Sequence, residues 1–157
     1  MRMWITVGIL LVAALAFWLV RKNQQAHLFT LQSGDDAVVI LLRDVEDGTY
    51  KVQYNGRRPV EITGIQVMLA GEVLHMDVEE VALENGSQKV TIEQNRVPEG
   101  QTFRLEPGDI FRVRVTFSGQ TLGYNYLYGF RFNYTESGQS RTFDATDKDF
   151  RFLLVVE

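Results

Sequence analysis

The chain has 157 residues, 45% of them hydrophobic and 11% aromatic, which suits one globular domain with a real core. It has no cysteine, so disulfides, thiolate metal sites and a thiol nucleophile are excluded. Arg2, Arg21 and Lys22 account for three of the 16 bases and all 20 acids lie after residue 34, so residues 23–157 hold 13 bases against 20 acids, a net −7 that suits no nucleic-acid phosphate backbone.

Residues 3–20 read MWITVGILLVAALAFWLV, without a charge or a proline. As a helix this run spans about 27 Å, close to a bilayer core of roughly 30 Å. Trp4 and Trp18 stand near its two ends, where amphipathic rings favour the headgroup level, and Arg21 and Lys22 stop it. Residues 1–22 are therefore expected to form an N-terminal membrane anchor. The competing reading is a cleaved signal peptide with Arg2 as its basic region and Ala14-Leu15-Ala16 as its cleavage site. The apolar run continues through Phe17-Trp18-Leu19-Val20 past that point, which favours an uncleaved signal anchor. Basic charge flanks the run on both sides, so charge bias does not choose an orientation. By analogy with signal anchors, the C-terminal domain is expected on the periplasmic or extracytoplasmic side of the cell membrane, in a single-pass arrangement.

Residues 23–28 read as a short linker and 29–157 as a β domain. AVVILLR (37–43) has the pattern of a buried strand, and TYKVQYN (49–55) alternates. VEITGIQVML (60–69) also alternates, but its apolar phase shifts at Gly64, from Val60 and Ile62 to Ile65, Val67 and Leu69. A β-bulge at the glycine would restore the facing. KVTIE (89–93), TFRLE (102–106), DIFRVRVTF (109–117), an aromatic run and FRFLLVV (150–156) follow. Turn chemistry separates them at Glu46-Asp47-Gly48, Asn55-Gly56, Asn85-Gly86 and Pro107-Gly108. Asn85-Gly86 is expected to close a hairpin. The pattern predicts an all-β, immunoglobulin-like sandwich of seven to nine antiparallel strands, preceded by one transmembrane α-helix.

The aromatic run GYNYLYGFRFNYTES places Tyr124, Tyr126, Tyr128, Phe130, Phe132 and Tyr134 at every second position. Strict alternation would put all six rings on one face. The central rings are expected in the core against Phe111, Val113, Val115 and Phe117, with Ser118–Gly123 joining the two strands as a hairpin. Tyr124, Tyr126 and Tyr134, nearer the ends and bearing hydroxyls, are the candidate interface residues. Arg57 and Arg58, in the basic loop Asn-Gly-Arg-Arg-Pro, are candidates for docking an acidic partner or lipid headgroups.

The two histidines, His27 and His75, lie in no motif, and no nucleophile, phosphate-loop or dinucleotide pattern occurs. Asp144, Asp147 and Asp149 match no calcium-loop spacing and read as a solvated acidic loop. Asp77, Glu79, Glu80 and Glu84 read as a second solvated patch. No catalysis, cofactor or metal is expected. The partners expected are the lipid bilayer and other integral membrane subunits, with the chain as an accessory or assembly subunit of a larger membrane complex, respiratory or photosynthetic. The alternatives are an anchored ligand- or metal-binding module, or a pilus-like surface protein.

Overall fold

The computed structural model describes residues 27–32, 40–42, 45–71, 76–119, 123–146 and 152–156. The expected anchor helix over 1–22 lies outside them. Among the described residues no helix is long and apolar enough to cross a membrane.

Among the described residues, eleven strands form two sheets. The first holds β1 (Phe29–Gln32), β3 (Val45–Tyr54), β8 (Ile110–Gly119), β5 (Met76–Asn85) and β6 (Gln88–Ile92), in that spatial order. The second holds β2 (Ile40–Leu42), β11 (Phe152–Val156), β9 (Gly123–Glu136), β4 (Val60–Gly71) and β7 (Phe103–Leu105). β10 (Gln139–Thr146) pairs with β9 beyond the stretch that β11 takes. The order β1-β3-β8-β5 over β11-β9-β4 is that of strands A-B-E-D over G-F-C in an immunoglobulin-type sandwich. β2, β6, β7 and β10 are additions to that frame, which raises the count above the seven to nine expected. All the pairs are antiparallel except β2 with β11, which run parallel.

The core lies between the sheets and comes from alternate residues of both. β8 contributes Phe111, Val113, Val115 and Phe117, all fully buried, while Arg112 faces outward. Phe130, Phe132 and Tyr134 enter from β9, and Ile62 and Ile65 from β4. The rings interlock across the gap. Phe132 stacks on Phe29 at 4.6 Å and meets Phe111 edge-on at 5.7 Å. Tyr50 of strand B lies 5.5 Å from Phe130 of strand F. Antibody domains join these two strands by a disulfide; here aromatic contact spans the same gap.

The bulge expected in β4 is present. Ile62 pairs with Tyr134 and Gly64 with Asn133, so Thr63 is the extra residue and Ile65 points inward again. A side chain at Gly64 would sit 2.3 Å from the Asn95 carbonyl oxygen. Asn95 belongs to a tight turn closed by two Glu93–Arg96 backbone bonds of 2.9 Å each. The Ile65 amide donates to Asn95 O, and the Val97 amide to Thr63 O. The glycine thus serves both the bulge and the close approach of that turn.

Four expectations need correction. First, the six rings do not share a face. Met68 pairs with Gly129 and Leu69 with Leu127, so Tyr128 is looped out of register. Its side chain is 38% exposed, while Leu127 and Phe130 on either side are buried. Second, β8 and β9 are not hairpin partners; they lie in different sheets and their rings meet across the core. Third, Glu46-Asp47-Gly48 is strand, paired with Phe117 to Val115. A Cβ at Gly48 would collide with the Tyr50 ring, so the glycine makes room for a ring two residues along the same face. Fourth, Asp144 is part of β10 and not of a loop.

Truncating Phe132 to alanine removes the ring that touches Phe29, Phe111 and Phe130. The expected loss is about 3–5 kcal/mol, whereas Tyr128→Ala costs under about 1 kcal/mol. Urea unfolding of the purified chain measures both; equal losses would contradict the bulge. Gly64→Ala forces the Asn95 turn away and is expected to cost about 1–3 kcal/mol in the same assay.

Candidate functional site

At one pole of the sandwich the chain enters at His27 and Leu28. The Asn55–Pro59 loop, the β5–β6 hairpin at Gly86, the Pro107-Gly108 turn and the Ser137-Gly138 turn gather at the same pole, because Phe29 pairs with Tyr54, Val60 with Leu105, Gln53 with Ile110 and Glu61 with Thr135. Gly86, Gly108, Ser137 and Gly138 all have positive φ, the tight-turn conformation that glycine adopts most easily. The Ser137-Gly138 pair has the composition of a turn.

The basic loop is held from below by Tyr54. This residue is fully buried, its hydroxyl donates to the Arg58 carbonyl at 2.6 Å, and a Cβ at Gly56 would overlap the ring. The ring therefore lies against the glycine and fixes the backbone that follows. Asn55 holds the other side. Its amide donates to Leu28 O at 2.8 Å, and its Nδ2 donates to His27 O at 2.9 Å and Thr30 Oγ1 at 2.8 Å. The incoming chain and the loop are one hydrogen-bonded unit. The Pro107-Gly108 turn joins it, with Tyr54 N donating to Asp109 O and Gly108 N to Tyr54 O.

Arg57 and Arg58 project from this unit and are exposed. Among the described residues neither forms an ion pair, and Arg58 reaches only Ser137 Oγ at 3.5 Å. Three acids of the pole are engaged elsewhere. Glu106 pairs with Arg104 at 2.9 Å and Glu136 with Arg141 at 3.1 Å. The Asp109 carboxylate accepts from Asn85 Nδ2 and from the Glu106 amide. Ile110, beside Asp109, is 50% exposed.

The tyrosine candidates fall elsewhere. Tyr134 is buried, with its ring edge-on to Phe29 at 5.8 Å, so the contact surface expected of it is not available to that ring. Although Tyr134 is near a strand end, its ring turns inward to Phe29 of the opposite sheet. Tyr124 and Tyr126 pair through their backbones with Val155 and Leu153, and their side chains lie outside the described residues. So do Trp4, Trp18, Arg21, Lys22, His75, Asp147 and Asp149. On the outer face of the second sheet, Arg131 grips Asp144 through two bonds of 2.6 and 2.8 Å. That pairing holds the Asp144 carboxyl below its ordinary value. Glu80 and Glu84 of the second acidic patch lie near Arg114, at 3.7 and 3.9 Å. No group of three potential ligands that could hold a metal ion occurs among the described residues.

No family model matches the chain, and no curated protein matches it in sequence. Among solved structures, it is similar to the ASH/PapD-like domain of human CEP192 (PapD-like domain 7), at 12% identity and a TM-score of 0.38, over 83% of this chain and 84% of that one.

Burial, then the nearby Glu136, Tyr134 and Glu106, push the Tyr54 phenol up to about 12. The folded state thus keeps a proton that the unfolded chain releases near pH 10. This contribution to stability is complete below pH 10 and is lost as pH rises towards about 12. Tyr54→Phe is expected to cost about 1 kcal/mol at neutral pH through the lost bond to Arg58 O, and to make the alkaline decline shallower. Unfolding midpoints at pH 7 and pH 11 test both.

Proposed function

We propose that the chain is a membrane-anchored, non-catalytic accessory subunit of a larger membrane complex. Residues 3–20 pack among other membrane helices, and the sandwich docks on the extracytoplasmic surface of the assembly. The observation that carries this reading is the way the chain enters the β domain. His27 and Leu28 are already hydrogen-bonded to Asn55, and strand pairing starts at Phe29. Only residues 23–26 separate that fixed backbone from Lys22. Five Cα steps reach at most about 18 Å. A domain on so short a tether stands at the membrane surface beside its helix and meets the exposed parts of neighbouring subunits. It does not sweep a volume as a ligand-collecting arm would.

The net −7 of residues 23–157 keeps such a domain soluble and away from nucleic acid. The aromatic core makes it a rigid body for docking. Respiratory and photosynthetic assemblies are hosts of the right kind.

Extraction of the native membrane in mild detergent, followed by native electrophoresis and identification of co-migrating chains, tests the proposal. Migration in a large assembly with defined partners is the expected outcome. Migration as a lone chain in its detergent micelle would overturn it.

A further inference from the structure

We infer that the Arg57–Arg58 loop is a docking point for the phosphates of anionic lipid headgroups, which rests on the membrane-anchor reading above. Three observations converge on it. The loop shares one hydrogen-bonded unit with His27 and Leu28, so it cannot swing away from the point where the chain arrives from the membrane. The stretch from Lys22 to His27 keeps that point within about 18 Å of the end of the apolar run. The charges are also the right ones. In a segment of net −7, these two exposed arginines have no acid paired to them among the described residues, while Glu106 and Glu136 at the same pole are already paired.

Position favours lipid over an acidic protein, since guanidinium groups grip phosphate and carboxylate oxygens alike and the tether keeps the loop's unit within about 18 Å of the apolar run. Guanidinium groups bind phosphate oxygens in a two-pronged fashion. In the sequence, Arg21 and Lys22 close the apolar run five residues before His27, so the tether that leads to this loop carries basic charge as well. The half-exposed Ile110 at the pole adds an apolar side chain, as interfacial attachments combine them. The lipid contact would fix the tilt of the sandwich on its tether. It would not supply the attachment itself.

The native chain has no cysteine, so one introduced thiol is a clean reporter. Pro107→Cys places a fluorophore at the pole, and Val78→Cys, at the far end of β5, places one away from it. The full chain is reconstituted into vesicles of phosphatidylcholine, with or without 30 mol% phosphatidylglycerol (roughly the charge of an anionic leaflet), containing headgroup-spin-labelled lipid as quencher. The expected result is stronger quenching at position 107 with the anionic lipid and no change at 78. Arg57→Gln and Arg58→Gln should each shift the docking equilibrium about fivefold, the size of effect of one basic residue at such a surface. Both residues are exposed and the thermal unfolding of the variants should match the parent. Quenching indifferent to lipid charge or to the arginines overturns the inference, and so does quenching that appears only when a partner protein is added. Flotation of the same vesicles reports anchoring separately. A chain that floats without charge-dependent quenching loses the headgroup contact alone, and a chain that does not float loses the anchor as well.

Discussion

Everything else in this fold depends on rings that cross from one sheet to the other. With no cysteine available, the sheets cannot be tied covalently. Phe29, Tyr50 and Phe111 come from one side and Phe130, Phe132 and Tyr134 from the other. Each buried ring removes a large apolar surface from water, and tilted or edge-on contacts add to that. Because the rings are rigid and bulky, the backbone must accommodate them. Gly48 gives way to Tyr50 and Gly56 to Tyr54. The second of these accommodations shapes the pole where the chain enters, so core packing and surface presentation are a single problem there.

Much of the architecture was legible in side-chain alternation. β8 and β4 read correctly because polar and apolar residues take turns, and the bulge at Thr63-Gly64 showed as a break in that rhythm. The second bulge broke no alternation, and only Gly129, a residue that allows a bend or bulge in a strand, marked it. Between Leu127 and Phe130 every residue but Gly129 is large and apolar or aromatic, so a ring on the wrong face looks like a ring on the right one. Likewise, alternation in β8 and β9 says that both present a ring face. It does not say whether those faces lie side by side or opposite each other. β10 was missed because it lies beside only one neighbour and turns mostly polar residues to solvent, leaving Phe143 and Ala145 as its inward apolar residues.

The basic loop was visible as a composition, Asn-Gly-Arg-Arg-Pro, but its rigidity was not. Tyr54 looked like one more alternating strand residue. Its role depends on a hydroxyl reaching a carbonyl four residues later across a glycine. Asn55 carried a turn signal that was read correctly, while its side chain reaches residues 25 and 28 positions back in the sequence, a relation no local pattern encodes.

The clasp around Asn55 also has a mechanical meaning. Any pull transmitted through the segment before His27 arrives at the start of β1, which lies antiparallel to β3 over four residue pairs and is clipped there by three further hydrogen bonds. Tension directed along β1 therefore strains these bonds together, in shear, and does not open them one after another like a zip. A pull of that kind would reach the sandwich as tilting of a whole body, with the strands behind the clasp left undisturbed.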